Sequence, residues 1–292
     1  MIGFGQFVLQ RDLGLAVFGE SVLSPLNRDV ARTFIEGGRL LRAYGTFPHP
    51  NILAAFLVLS LLSLYYLFIN FKKKSILRIS DILRISDIQI LNYLFVVAIF
   101  INWLGLLLTF SRVGWLVALL TSITFLIWLH RSIKWTIVQS IDFITILFLC
   151  VVILTSIFSW AIFPRVEFYD QFSFTNRLSD YQYAWQKIKE RPFLGHGLTL
   201  AMGERPVHNL YLTIWVEIGL VGLLIFLGLI VYLVIENYHC VLEKSVLLIM
   251  FLALLLFGLF DHFLWTLRPG LAMFWLVVGL LTFSSRGSTD RT

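Results

Sequence analysis

Charge is scarce in this sequence. Asp, Glu, Lys and Arg make up 14% of its 292 residues, whereas soluble domains carry about 25%. A water-soluble fold of this length cannot hide that much apolar surface, so a soluble globular domain is excluded. Cysteine is nearly absent. Cys150 and Cys240 lie in or beside apolar runs, with neither a disulfide framework nor metal-site spacing. The six histidines show no zinc-type pattern. No Walker loop, dinucleotide fingerprint or carboxylate pair for a divalent metal is present. This argues against a nucleotide-driven machine and a metal-dependent transferase, and no cofactor is expected. The N-terminus has no basic stretch followed by a compact apolar core, so no cleavable signal peptide is expected.

Long apolar runs are abundant. Hydrophobic residues make up 59% of the chain and mean hydropathy is +0.85. A membrane-spanning helix needs about 20 apolar residues. Seven segments approach or meet that length: 51–70, 91–110, 113–130, 141–163, 209–235, 245–265 and 270–284. The expected fold is therefore an all-α, polytopic membrane helix bundle with about seven transmembrane helices. Net charge is +6, but the basic residues sit between apolar runs. The orientation rule for membrane loops explains them, and no nucleic-acid partner is expected. Lys72, Lys73, Lys74, Arg78, Arg84, Arg131, Lys134, Arg286 and Arg291 mark cytoplasmic loops and tail. The opposite side then receives residues 1–50, the Ser111–Arg112 turn, the loop 164–208 and the 266–269 turn.

Three regions follow: an extracytoplasmic N-terminal segment 1–50, a transmembrane domain 51–284 and a cytoplasmic tail 285–292. Asn51 is a plausible cap for the first membrane helix. In the loop 164–208, Leu178, Tyr181, Trp185 and Ile188 recur at helical spacing. An amphipathic helix is expected within Asn176–Arg191, capped by Asn176 and stopped by Pro192, lying over the membrane core or in the interface. A tandem hexapeptide, Ile76–Asp81 and Ile82–Asp87, reads as a local duplication without catalytic meaning.

The polar residues able to do chemistry gather on the outer side in this topology. They are Arg42, His49, Arg112, Arg177, His208, Asn209, Glu217, Asp261 and His262. A cation at a helix junction, such as Arg112, either snorkels, pairs or binds an anion. The planar guanidinium fork suits phosphate. His208 stands at a helix start, where a neutral imidazole can accept a proton. Asn209 has an ordinary role as N-cap. Glu217, two turns into the helix, needs a partner, for which Arg112 and Arg177 are candidates. His49, flanked by prolines, reads as a turn residue. Asp261 and His262 read as a structural cluster with Arg268.

Five segments resemble motifs of one family. Arg42-Ala43-Tyr44-Gly45-Thr46-Phe47-Pro48-His49-Pro50-Asn51 resembles the R-x-x-G-x-F-x-x-P-N pattern of the bacterial O-antigen ligase and polymerase superfamily. Ser111-Arg112 resembles its SRG pattern, with Val113 in place of glycine and Gly114 next. Arg177 through Trp185, followed by Arg191-Pro192-Phe193-Leu194-Gly195-His196-Gly197, resembles its R…W…P-x-x-G-x-G segment. His208-Asn209-Leu210-Tyr211 and Glu217-Ile218-Gly219-Leu220-Val221-Gly222 resemble the motifs that follow. The resemblance implies a metal-independent, inverting glycosyltransferase of the plasma (inner) membrane with an extracytoplasmic active face. The donor would be a glycan on undecaprenyl diphosphate, and the acceptor a hydroxyl of a lipid, glycan or protein. Arg42 and Arg112 would hold the diphosphate and His208 would be the base. Arg177, Arg191, Asn209 and Glu217 would bind substrate. Family members carry further helices ahead of the first motif, so this chain is expected to be the C-terminal share of a larger bundle, or to take those helices from a partner chain. A polysaccharide polymerase, a non-catalytic remnant and a polysaccharide transporter are the alternatives. One-sided polarity and the lack of a long repeat speak against the transporter.

Overall fold

The computed structural model describes residues 1–27, 30–35, 38–77, 85–132, 156, 170–198, 207–238 and 242–289. It divides into two compact units, Met1–Pro164 and Arg165–Thr292. The fold is mostly helical. Among the described residues, four helices are long and apolar enough to cross a membrane: Pro50–Phe71, Gln89–Leu108, Arg112–His130 and Leu210–Asn237. The segment 141–163 lies outside the described residues, apart from Ser156.

The first unit begins with helix α1 (Ile2–Leu9), a short 3-10 turn (Ala16–Phe18) and a hairpin of β1 (Arg32–Ile35) and β2 (Gly38–Leu41). The strands run antiparallel, with Arg32 opposite Leu41. Residues 1–50 are thus built rather than featureless, and the all-α expectation gains a two-stranded exception. Three long helices follow: α2 (Pro50–Leu77), α3 (Ile85–Leu108) and α4 (Arg112–Ser132). The loop expected over 71–90 is shorter than anticipated, because the backbone of α2 stays helical to Leu77 and α3 starts at Ile85. Most of the duplicated hexapeptide lies outside the described residues.

Small side chains let these helices approach. A Cβ on Gly114 of α4 would lie 2.7 Å from the Ala54 Cβ of α2. Polar groups inside the bundle are bonded to one another. The Trp103 indole of α3 donates to the Tyr65 hydroxyl of α2 (3.1 Å), which lies 3.4 Å from the Ser122 hydroxyl of α4.

Gln6 ties the N-terminal segment together and is fully buried. Its Nε2 donates to the Glu20 carboxylate and to the Gly45 carbonyl, each at 2.8 Å. Its Oε1 accepts from the Tyr44 and Gly45 amides at 3.1 and 2.8 Å. Glu20 also accepts from the Leu13 and Leu15 amides. Burial pushes the Glu20 carboxyl up, but these hydrogen bonds outweigh it and hold the group below the ordinary carboxylate value.

The second unit holds α5 (Asp170–Glu190), α6 (Leu210–Asn237), α7 (Leu242–Gly258), α8 (Phe263–Thr266) and α9 (Arg268–Thr289). The amphipathic helix expected within Asn176–Arg191 is present as α5. It starts six residues earlier, so Asn176 sits inside it and does not cap it. Its buried face is also rotated from the expected one. Asp180, Ala184 and Ile188 face inward, whereas Leu178 and Trp185 stay about half exposed. Ala184 and Ile188 pack on Val207 and Val216, with Tyr181, Leu212 and Trp215 around them. The small Ala184, rather than a larger apolar residue, allows that close packing.

The expected span 245–265 is interrupted. Its apolar helical stretch, Lys244–Gly258, rises about 23 Å, short of the ~30 Å hydrocarbon core. A turn at Asp261–His262 and the single helical turn α8 follow. The last apolar stretch, Arg268–Phe283, falls in the same shorter class. Helix α9 runs to Thr289, so most of the expected tail 285–292 is helical backbone.

Gln6→Met keeps the volume of the side chain and removes four hydrogen bonds. It is expected to destabilise the N-terminal segment by about 3 kcal/mol, since stranded buried partners cost about 1–3 kcal/mol each. Faster amide exchange at Tyr44 and Gly45 is the measurement. A second expectation concerns pH. Glu20 has a depressed folded-state value, so its contribution is present above the ordinary carboxylate value and is lost as pH falls through the folded one. Proteolytic nicking of residues 1–50 should rise with acidification in wild type and lose that dependence in Glu20→Gln.

Candidate active site

In the first unit, Arg42 follows β2 and is buried. Its Nε donates to the Thr109 carbonyl at 2.6 Å and its Nη2 to the Asn51 Oδ1 at 3.0 Å. Asn51 is therefore not the helix cap that the sequence suggests. Pro50 opens α2, and the His49 ring, one residue earlier, accepts from the Asn51 amide through Nδ1 at 3.2 Å. Proline suits the first helical position because its missing N–H has no partner there anyway. The Asn51 side chain is thereby left to meet Arg42, so the two ends of the Arg42–Asn51 motif are bonded to each other. His49 is a turn residue, as expected.

Arg42 also grips the α3–α4 turn, since Thr109 is three residues before Arg112. Ser111 caps α4: its hydroxyl accepts from the Gly114 amide at 3.2 Å. Arg112 is the first residue of α4 and is exposed. The structure thus brings Arg42 to the turn that carries Arg112. It presents Arg112 at a helix N-terminus, the end whose amides and dipole favour anions.

In the second unit, α6 is broken at Gly219, whose φ of 73° and ψ of −177° interrupt the helix. The segment Pro192–Gly197 fills the break. Leu220 N donates to the Pro192 carbonyl, His196 N to the Val216 carbonyl and Gly197 N to the Glu217 carbonyl, each at 2.9 Å. The Trp215 indole adds a bond to the Pro192 carbonyl at 3.1 Å. Both Gly195 and Gly219 have positive φ. A Cβ on Gly195 would collide with the Glu217 carbonyl, and one on Gly219 with the Phe193 carbonyl. The P-x-x-G-x-G and E-x-G segments are two halves of one joint. Arg191 is exposed at its edge.

Glu217 lies beside the break and is buried. The Trp265 indole of α8 donates to its Oε2 at 2.7 Å. The sequence suggests arginines as partners for Glu217, and Trp265 is a donor it did not single out. This bond makes Glu217 a brace between α6 and α8.

Asn209 caps α6, its Oδ1 accepting from the Leu212 amide at 3.0 Å, as expected. His208 precedes it. Its Nδ1 lies 3.3 Å from the Asp180 Oδ2 of α5, with the imidazole 44% and the carboxylate 10% exposed. Asp180 was not among the sequence candidates. The available signal was the spacing of residues 180, 184 and 188, which puts an acid at the head of the buried stripe. Arg177 precedes Asp180 by one turn on the same helix. The His262 ring stands edge-on to His208, with centroids 5.7 Å apart at 74°. Asp261, expected to pair with Arg268, accepts from the His262 amide at 2.8 Å, and Arg268 opens α9.

Residues 94–227 match the family model described as O-antigen ligase. This region of the chain is similar to an O-antigen ligase domain. That domain runs from within α3 to within α6 and contains Arg112, Arg177, Asp180, Arg191, His208, Asn209 and Glu217. Arg42 and His262 lie outside the matched span. The match supports a membrane glycosyltransferase of the O-antigen ligase/polymerase type. No curated protein and no solved structure matches the chain. Among the described residues, no group of three or more His, Cys, Asp or Glu side chains could hold a metal ion.

The joint in α6 of the ligase domain can be tested directly. Gly219→Ala or Gly195→Ala should expel the 192–197 segment, because each new Cβ would overlap backbone rather than a mobile side chain. Limited trypsinolysis at Lys187 and Lys189 should accelerate at least about tenfold, as local opening falls by more than ~1.4 kcal/mol. Unchanged cleavage in both variants would show that the joint is dispensable.

Proposed function

We propose that this chain moves a glycan from an undecaprenyl-diphosphate carrier to an acceptor hydroxyl on the outer face of the plasma membrane, as an O-antigen ligase does. The observation that carries the reading is the Asp180–His208 pair at the start of α6. A carboxylate on Nδ1 holds the imidazole in the tautomer that leaves Nε2 able to accept a proton. The half-exposed ring is accessible to a substrate.

In the proposed step, the acceptor oxygen bonds to the anomeric carbon while that carbon's bond to the diphosphate oxygen breaks. The acceptor proton passes to His208 Nε2, and the electron pair leaves on undecaprenyl diphosphate. A single displacement of this kind inverts the anomeric carbon. The leaving group gains negative charge, which fixed cations stabilise. Arg112 would meet that charge, supported by the positive end of α4. Arg42 would contribute from its place against the Thr109 carbonyl, and it would also hold the α3–α4 turn. Arg177 and Arg191 would act more weakly on the substrate, while Asn209 and Glu217 would keep α6 in shape. No metal is invoked.

Replacement of the native gene by single variants tests the roles, with transferred glycan read on the endogenous acceptor. His208→Ala should reduce transfer by about 10²–10⁴-fold, the usual range for a lost general base, and Arg112→Ala by about 10²–10³-fold, as for a lost charge-stabilising donor. Membrane insertion should remain normal. Asp180→Asn should lower transfer less than His208→Ala, since the imidazole remains and loses its tether. Wild-type transfer by Arg112→Ala would remove the diphosphate role, and wild-type transfer by His208→Ala would remove the base.

A further inference from the structure

His262 lies outside the matched ligase span, yet its ring is set against His208 and is anchored as firmly. Its Nδ1 lies 2.6 Å from the Thr266 hydroxyl. That hydroxyl also donates back to the His262 carbonyl at 3.3 Å, one helical turn earlier, as threonines in helices commonly do. A hydroxyl whose proton goes to the carbonyl accepts from Nδ1–H, which leaves Nε2 of His262 bare. His208 follows the same logic: Asp180, an acceptor, takes Nδ1–H and Nε2 is bare. Among the described residues, none bonds either Nε2. With Nδ1–H donated in both contacts, the two adjacent imidazoles present two acceptor nitrogens and no donor. Burial lowers the proton affinity of His262; Asp261 opposes this and His208 adds to it. The net direction favours the neutral ring, which can accept.

Two rings with centroids 5.7 Å apart suit a ligand with two hydroxyl donors. We infer that His262 is a non-reacting contact for the acceptor: its Nε2 accepts a hydrogen bond from the hydroxyl next to the one that gives its proton to His208. The inference rests on the reading of His208 as base. It gives the site a preference for acceptors with neighbouring hydroxyls, because a lone hydroxyl would leave one nitrogen without a donor. His262 would position the substrate and take no part in the proton transfer.

The test compares two replacements in the native gene, with rates of glycan transfer to the endogenous acceptor taken per inserted protein in host membranes. His262→Phe keeps a ring beside His208 and removes the nitrogen. His262→Gln loses the ring and keeps an acceptor atom close to the position of Nε2. The expected result is a loss of about tenfold for Phe, the worth of one hydrogen bond near 1.4 kcal/mol, with Gln within about threefold of wild type. Thr266→Val, at an exposed residue, loosens the same ring without replacing it and should fall between the two. A role in packing alone predicts the reverse order, with Phe active and Gln impaired, and would overturn the inference. Equal, severe loss in Phe and Gln would also overturn it, in favour of a proton-carrying imidazole. His208→Ala separates this from the parent reading. If that variant still transfers glycan, the base assignment fails. If it is inactive while His262→Phe matches wild type, the acceptor contact alone fails.

Discussion

A helix that is broken in an apolar setting must find new partners for the backbone groups it exposes, because water is not there to take them. Helix α6 meets this condition at Gly219. The segment Pro192–Gly197 supplies the partners, and two glycines with positive φ let the backbones touch. Much of the second unit follows from this joint. The segment continues directly from α5, so seating it against the break fixes the end of α5 against α6. Ala184 and Ile188 then pack on Val207 and Val216, and Asp180 arrives at His208. Glu217, beside the break, is bound by Trp265, which ties in α8 and the His262 turn that precedes it.

The first unit solves a related problem with side chains. Arg42 carries a permanent charge into a buried position, where it would be costly alone. Thr109 and Asn51 accept from it, and the turn between α3 and α4 is held as a consequence. Gln6 does the same for the N-terminal segment, matching both its donors and both acceptor directions. These buried polar residues act as fasteners between elements whose apolar surfaces carry little directional information. Arg42 is thus a structural clamp by geometry, and its proposed electrostatic role adds to that one.

Each unit carries its own chemistry. One offers an exposed arginine at a helix N-terminus, suited to an anion. The other offers a tethered imidazole and a second ring beside it, suited to hydroxyls.

Much of this was legible in the chain itself. Apolar runs of about 20 residues announced the long helices, since the bilayer sets their length. His208-Asn209 announced the start of α6, since a cap has a local chemical requirement. The motif order pointed to the ligase domain. Asp180 could not be chosen by spacing alone, because it is 28 residues from His208 and meets it only through the packing of α5 on α6. Trp265 is 48 residues from Glu217, and the sequence offered arginines as more obvious partners. Asn51 looked like a cap because its local surroundings allowed one, but His49 took that place and Arg42 claimed the amide. The sequence by itself determined the membrane character, the long helices and the residue types available for reaction, because these depend on composition and short-range spacing. Tertiary structure alone decided which polar groups meet, because those pairings depend on where a helix breaks and which segment fills the gap.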